Sequence, residues 1–568
     1  MVFEITEDLK QNITIFALEN ALKFNGKANP GAVVGKVIAL DASLKQNMKD
    51  VSVVIRDVIA DIEKKSLDEQ KQLLLELNPD FEKEQQAKKQ ENKEKRSDLP
   101  ELKNAVMGKV VTRIAPEPSK YNHIGHAVSF LLNYMYAVKY EGSCVLRFDD
   151  TNPEKESQEF VDAMQDDVLS YLGIKPAKVV FASDFNEELI TDAETLIAEG
   201  KAYTCNQTQE EMSLGRRNMT DSPSRSKSVE TVQEEWELMK QGKGDFVLRL
   251  KIDMQHKNAV MRDPVIFRII DTPHYRQNTK YKVWPMYDFE SSMLEGKLGI
   301  THAMRSNEFE SRIELQHYIQ DLFGYAHTEI KQYARFNVIN ADTQGRVIRE
   351  KIESGVYIGW DDPRLVTLRA LKRRGIVKES YYELAKVLGM SNTNSELDFS
   401  LIASINRKIL DKTAKRFFFI AKPIEVTIEG APQLDITLKM HPDQGLGERS
   451  FSLGTTYLLE EKDAKLVFDN KRIRFIDAIT VKGTTFEGLS YDKQTDAIVH
   501  FLPSDTTQII DVEILMPDNT ITKGYAEKNI EKLSVGEVVQ FQRFGFCRLD
   551  AVLEKDGKKV YAFWYTHD

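Results

Sequence analysis

Residues 110–127 read VVTRIAPEPSKYNHIGHA. A β-branched run, Val110-Val111-Thr112, leads into Arg113 and Ile114. The loop APEPSKYN follows, and then a helical pattern runs from His123 to about Tyr140, closed by Gly142. A second apolar run, CVLRF at 144–148, comes directly after it. Strand, loop, helix and strand within about forty residues make a βαβ unit, which predicts a parallel, doubly wound nucleotide-binding sheet. His123 and His126 stand at the helix start and share a face, and Gly125 between them admits a close neighbour. The helix amino terminus adds unpaired N–H groups and partial positive charge, so this turn suits a triphosphate. Alone, a His-x-x-His pair reads as capping or core side chains; the strand before it and the helix after it are the context a phosphate site requires.

At 568 residues the chain is several times a typical domain, so roughly three to five domains are expected. Residues 1–100 read as a helical amino-terminal extension, with Ile15, Leu18 and Leu22 on one face and Gly26 placed to end the helix. This extension closes in a charged linker, EKEQQAKKQENKEKR at 82–96. Residues 101–335 carry the nucleotide-binding sheet, interrupted at about 184–286 by an insertion of mixed composition, with sheet signals resuming at 299–301 and 334–338. Helical patterns dominate 336–420, and from 421 to 568 the period shifts to two in short runs such as IEVTIEG and IIDVEIL, predicting β-barrels. The expected fold class is therefore multidomain, α/β followed by all-β.

Hydrophobic residues at 41% and charged residues at 29% describe a soluble globular chain, and its longest apolar runs, such as RFFFIA at 416–421, cannot span a bilayer. The acidic start MVFEITEDLKQ lacks a signal-peptide core. Cys144, Cys205 and Cys547 lie too far apart for a zinc knuckle or a disulfide framework, so a cytoplasmic setting is expected. A net charge of -10 excludes indiscriminate polyanion binding but leaves two basic stripes. One holds Arg364, Arg369, Lys372, Arg373 and Arg374; the other holds Arg407, Lys408, Lys412, Lys415 and Arg416. Each reads by itself as a solvated helix face.

His123-Ile124-Gly125-His126 is similar to the HIGH signature of class I aminoacyl-tRNA synthetases, and RIAPEPSKYNHIGHA resembles the glutamyl/glutaminyl subgroup. The resemblance continues through LRFDDTNPEKE at 146–156, MRDPVIFR at 261–268, YKVWPMYDFE at 281–290, GITHAMRSNEF at 299–309 and GWDDPRLVTLRALKRRGI at 359–376. KANPGAVVGKV at 27–37 and the β-rich carboxyl part resemble glutamyl enzymes of the archaeal and eukaryotic type. The resemblance implies a Rossmann-type catalytic domain with an acceptor-binding insertion, a helical tRNA-contact region, and anticodon-binding barrels. It also implies activation of glutamate by ATP and transfer of the glutamyl group to the 2'-OH of the terminal adenosine of tRNA(Glu). Archaeal enzymes of this type commonly charge tRNA(Gln) as well. Mg2+ would be held by the nucleotide, with no dedicated protein metal site, and the sequence sets no oligomeric state.

Free glutamate presents two carboxylates and one ammonium, so its pocket requires cations and an anion. Arg113 and Asp149 lie at the ends of the first two predicted strands, where doubly wound sheets bind ligands. By resemblance, His123, Gly125 and His126 meet the ATP phosphates, Arg113 a substrate carboxylate, Asp149 the ammonium, and Tyr287 supplies a hydroxyl near the substrate side chain. Arg305 matches a position where glutamyl enzymes carry arginine and glutaminyl enzymes a small uncharged residue. Asp150, Thr151 and Asn152 are given a supporting role.

The chain departs from the family at the second ATP motif, a mobile KMSKS-like loop that stands shortly before GWDDPR. Counting back places it at TQGRV, 343–347, where the usual serine and lysine are absent. Arg346 is then the expected phosphate contact, with Arg349 and Lys351 beside it and Gly345 supplying flexibility. This departure leaves two other readings open: a glutaminyl-tRNA synthetase, or a catalytically deficient tRNA-binding paralogue.

Overall fold

The computed structural model describes residues 6–81, 83, 99–389, 395–489 and 494–568. It divides into two compact units, Met1–Asp98 and Leu99–Asp568. The first holds helices Glu7–Lys23, Pro30–Leu40, Met48–Ile62 and Leu67–Leu77. Thr6 caps the first of them, and the Gly26 N–H donates to the Ala21 carbonyl at 2.8 Å just past its end. Ile13, Ala17, Leu18 and Ala21 form the buried stripe, so the face expected at Ile15 and Leu22 is rotated and those two only flank it. The expected linker at 82–96 lies outside the described residues, apart from Lys83.

In the second unit, β1 (Val111–Ile114), β2 (Ser143–Phe148) and β3 (Lys178–Phe181) pair in parallel in that order. Helix Ile124–Lys139 joins β1 to β2 and buries Val128, Leu131 and Leu132 against the sheet. The insertion contributes a four-stranded antiparallel sheet, β4 (Ala202–Cys205), β5 (Val247–Leu250), β6 (Val265–Ile269) and β7 (Val283–Pro285). Its core of Trp236, Phe267 and Trp284 also takes in Phe289, Leu315 and Ile319 from beyond its expected end.

The chain then returns alongside the β1–β3 sheet with β8 (His302–Ser306) and β9 (Glu329–Tyr333), a parallel pair. β8 meets β1 where the Thr301 N–H donates to the Val111 carbonyl at 2.9 Å. Asn133 on the Ile124–Lys139 helix clasps both backbone groups of Met304. β9 is a correction to the sequence reading, which put this strand at 334–338. Its residues, EIKQY, carry little apolar signal, whereas the more apolar Phe336–Val338 pairs with Ser395–Leu397 in a separate two-stranded sheet.

Helices Gly345–Glu353, Leu368–Arg374, Lys378–Leu388 and Phe399–Leu410 lead to the β-rich region. There a seven-stranded sheet begins at Lys415–Phe417 and ends at Phe419–Ala421. Its two edge strands are thus consecutive in sequence, and the sheet curls into a nearly closed barrel whose seam is the RFFFIA run.

The first basic stripe is not a solvated face. Arg373 makes a two-pronged bond to Asp550 at 2.7 and 2.9 Å and also reaches Asp361, while buried Arg374 donates to the Thr566 carbonyl. Lys372 pairs with Asp166 and Arg364 with Asp362. Arg373 and Arg374 clamp the helical region onto the barrel, and Lys372 ties it to the helical segment Asp166–Tyr171. In the second stripe Lys415 pairs with Glu537 and Arg416 with Asp411, while Arg407, Lys408 and Lys412 are exposed. Cys144, Cys205 and Cys547 are buried free thiols. Among the described residues no helix is long and apolar enough to cross a membrane.

Candidate active site

The carboxyl ends of β1, β2, β8 and β9 open into one cavity of about 1760 Å³ that extends beneath the insertion. It is lined by Arg113, His123, Gly125, His126, Asp149, Tyr287 and Arg305, so seven of the eight expected site residues converge. Fold topology accounts for the convergence: strand order places these strand ends side by side, and the Ile124–Lys139 helix points its amino terminus at them.

The two histidines are locked by reciprocal capping. His123 Nδ1 accepts from the Gly125 N–H and His126 Nδ1 accepts from the His123 N–H, both at 3.1 Å. Burial pushes His123 down to about 4 and His126 well below its usual value, and the nearby Lys120 ammonium lowers both further. Both rings are therefore neutral at pH 7. With Nδ1 acting as acceptor, each carries its proton on Nε2, as a donor. A Cβ on Gly125 would sit 3.0 Å from the His123 ring, so a larger residue would push that ring by a few tenths of an ångström. The turn is further held by residues 366–368, just after DDPRL, where the Ile124 N–H donates to the Val366 carbonyl and the Leu368 N–H to the Asn122 carbonyl.

Beside this turn lies a buried charge network built mainly on one helix, Tyr287–Lys297. Arg113 pairs with Glu295 at 2.8 Å, and Arg147 grips Asp149 with two bonds of 2.5 and 3.0 Å while also reaching Ser291. Burial works against ionised Glu295, but Arg113, Arg147 and Arg305 outweigh it and hold its carboxyl below the usual range. Glu290 goes the other way: burial, then the neighbouring Asp149 charge, push its carboxyl well up, and its Oε1 has no hydrogen-bond partner.

Arg305 is the unusual member. It is 6% exposed, and neither its Nε nor its Nη2 finds a partner. Burial lowers its pKa, opposed by Tyr287 and Glu295. A guanidinium desolvated and left partly unpaired is costly, which points to an anion that completes it.

Arg346 does not join the other seven. Helix Gly345–Glu353 begins one residue before it, so Arg346 sits in the first helical turn, its side chain 86% exposed and facing Glu350 at 3.7 Å. Arg349 is exposed as well, and Lys351 is bound to Asp342 at 2.6 Å. Only Thr343 of the expected loop reaches the cavity. Asp150 supports the site from behind, accepting from Ser183 and Tyr275. In the barrel Arg543 is bound to Asp463 at 2.6 and 2.9 Å, and Phe544 packs edge-on against Phe419.

Arg147, Glu290 and Glu295 were missed. The available signal was Arg147 itself, a charge inside the apolar run of a parallel strand, which demands a buried partner.

Glu156, also on the cavity wall, carries a pH signature. Burial raises its carboxyl from 4.5 to about 9. A carboxyl raised on folding contributes its full stability below about pH 4.5 and loses it as pH climbs toward 9. Glu156→Gln should therefore gain thermal stability over the parent at pH 8 while matching it near pH 5. Melting curves at the two pH values check this, and an equal difference at both would contradict it.

Residues 109–412 match the family described as tRNA synthetases class I (E and Q), catalytic domain, and residues 414–500 and 477–550 match its anti-codon binding domains. The chain belongs to the class I tRNA synthetases of the E and Q group. It is 36% identical to a glutamate–tRNA ligase of Pyrococcus abyssi, covering 97% of this chain and 98% of the relative. It is also 36% identical to one of Methanocaldococcus jannaschii, covering 95% of this chain and 98% of the relative. A solved glutamate-tRNA synthetase of Elizabethkingia anophelis aligns at 16% identity with a TM-score of 0.39, over 54% of this chain and 71% of that one.

Proposed function

We propose that this chain is an ATP-dependent glutamate–tRNA ligase. The observation that carries the choice of amino acid is Arg305, whose buried unpartnered nitrogens call for an anion in the cavity. Glutamine would bring a neutral amide to the same place and leave the guanidinium uncompensated.

In the first step a glutamate α-carboxylate oxygen attacks the α-phosphorus of ATP. The α–β phosphoanhydride bond breaks and pyrophosphate leaves with its electron pair. Arg305 faces the side-chain carboxylate with the Tyr287 hydroxyl nearby, Arg113 takes a substrate carboxylate, and Asp149 receives the ammonium. The Nε2–H donors of His123 and His126 and the free N–H groups of their helix meet the phosphates, where negative charge grows as the bond breaks. In the second step the terminal ribose 2'-OH attacks the activated carbonyl and AMP departs. These steps need positioning and charge stabilisation rather than a covalent nucleophile.

Among the described residues no three His, Cys, Asp or Glu side chains converge as a metal site. Mg2+ carried by the nucleotide would neutralise its phosphates. tRNA(Glu) is the acceptor, with tRNA(Gln) as a second. Purified protein with ATP, tRNA and labelled glutamate or glutamine tests the reading. Charging with glutamate is expected; charging with glutamine alone, or with neither, would overturn it.

A further inference from the structure

We infer that Lys120 is the cation that meets the ATP phosphates in this chain, in the place where the 343–347 segment offers none. This rests on the proposed ATP site. Lys120 stands three residues before His123, in the turn from β1 to the Ile124–Lys139 helix, and lines the cavity. It is half-buried and makes no ion pair or side-chain hydrogen bond among the described residues. Its ammonium lowers both His123 and His126, in keeping with its place on the wall of the same cavity.

A second contact ties it to the degenerate motif. A Cβ on Gly345 would lie 3.2 Å from Lys120 Cβ and 3.6 Å from its Cδ, so the lysine stem runs along the start of the Gly345–Glu353 helix. Gly345 thus serves as a seat for that stem rather than as a hinge. The alternatives nearby are spent or turned away: Lys351 is bound to Asp342, Arg346 faces Glu350, and Arg349 is exposed. An ammonium on a flexible stem also suits phosphate charge that moves from the α–β bridge to pyrophosphate, since it is a point charge with three rotatable donors.

ATP–pyrophosphate exchange by the full chain, with glutamate and tRNA present, tests this. Lys120→Ala and Lys120→Met should each lower kcat/KM for ATP at least about tenfold, while Arg346→Ala stays within about threefold of the parent. Lys120→Met keeps the aliphatic stem on Gly345, so an equal loss assigns the effect to charge. Melting temperatures should not move. Retained exchange in either Lys120 variant, or a larger loss in Arg346→Ala, would overturn the assignment. If the parent itself neither exchanges nor charges, the proposed activity fails instead, and the two failures are distinguishable.

Discussion

Arg305→Ala is expected to lower kcat/KM for glutamate by about a hundredfold or more while leaving the protein as stable as before, or more so. Loss of a charge-assisted contact to a substrate carboxylate in a desolvated pocket costs on the order of 3 kcal/mol, and each 1.4 kcal/mol is about tenfold. The free protein tells the opposite story. There Arg305 is buried with two unsatisfied nitrogens, so removing it relieves a desolvation cost and breaks no direct ion pair. Glu295 keeps Arg113 at 2.8 Å as its partner. A residue held against folding stability in this way is paid for by its substrate. Glutamate titration of the charging rate, alongside thermal melting, separates the two effects. An unchanged glutamate dependence in a folded variant would falsify the assignment, and a large drop in melting temperature would make Arg305 structural.

Which parts of this site could be read in advance follows from how far each contact reaches along the chain. The βαβ start, the histidine pair, and Arg113 and Asp149 at strand ends rest on local patterns, and those patterns put them at one sheet edge. The partners that make the pocket work do not. Arg113 finds Glu295 across 182 residues, and Arg147 finds Ser291 across 144. Arg373 reads locally as a solvated charge, yet its partner Asp550 is 177 residues away.

Arg346 lies apart from the others for a different reason. Spacing from GWDDPR carries no helical phase, and starting the helix at Gly345 turns Arg346 to solvent. β9 failed because the end strand of a mixed-polarity pair need not be apolar on both faces.

Arg147→Met should behave in the reverse sense to Arg305→Ala. Arg147 is completely buried, holds both oxygens of Asp149 and lies 4.0 Å from Glu290. Its removal leaves two buried carboxyls without their cation, a change of the kind that costs about 3–5 kcal/mol. The cost should depend on pH, and its sign is fixed by which form the site tolerates. Without Arg147, burial and the Asp149 charge act on Glu290 with no cation against them, so its carboxyl is pushed further up. Raised carboxyls contribute stability below their unfolded pKa and lose it as pH rises. The deficit should accordingly be small near pH 4 to 5 and grow toward pH 8, in the range where Glu290 is already held up by burial and by Asp149. Adding Glu290→Gln should recover part of the loss at pH 8, because the amide keeps the shape and has no proton to lose when the chain unfolds. Chemical denaturation of the single and double variants across that pH range is the measurement. A deficit that does not change with pH would mean that Arg147 acts through its packing, and that the network at the strand ends is not what holds Asp149 ready for the substrate ammonium.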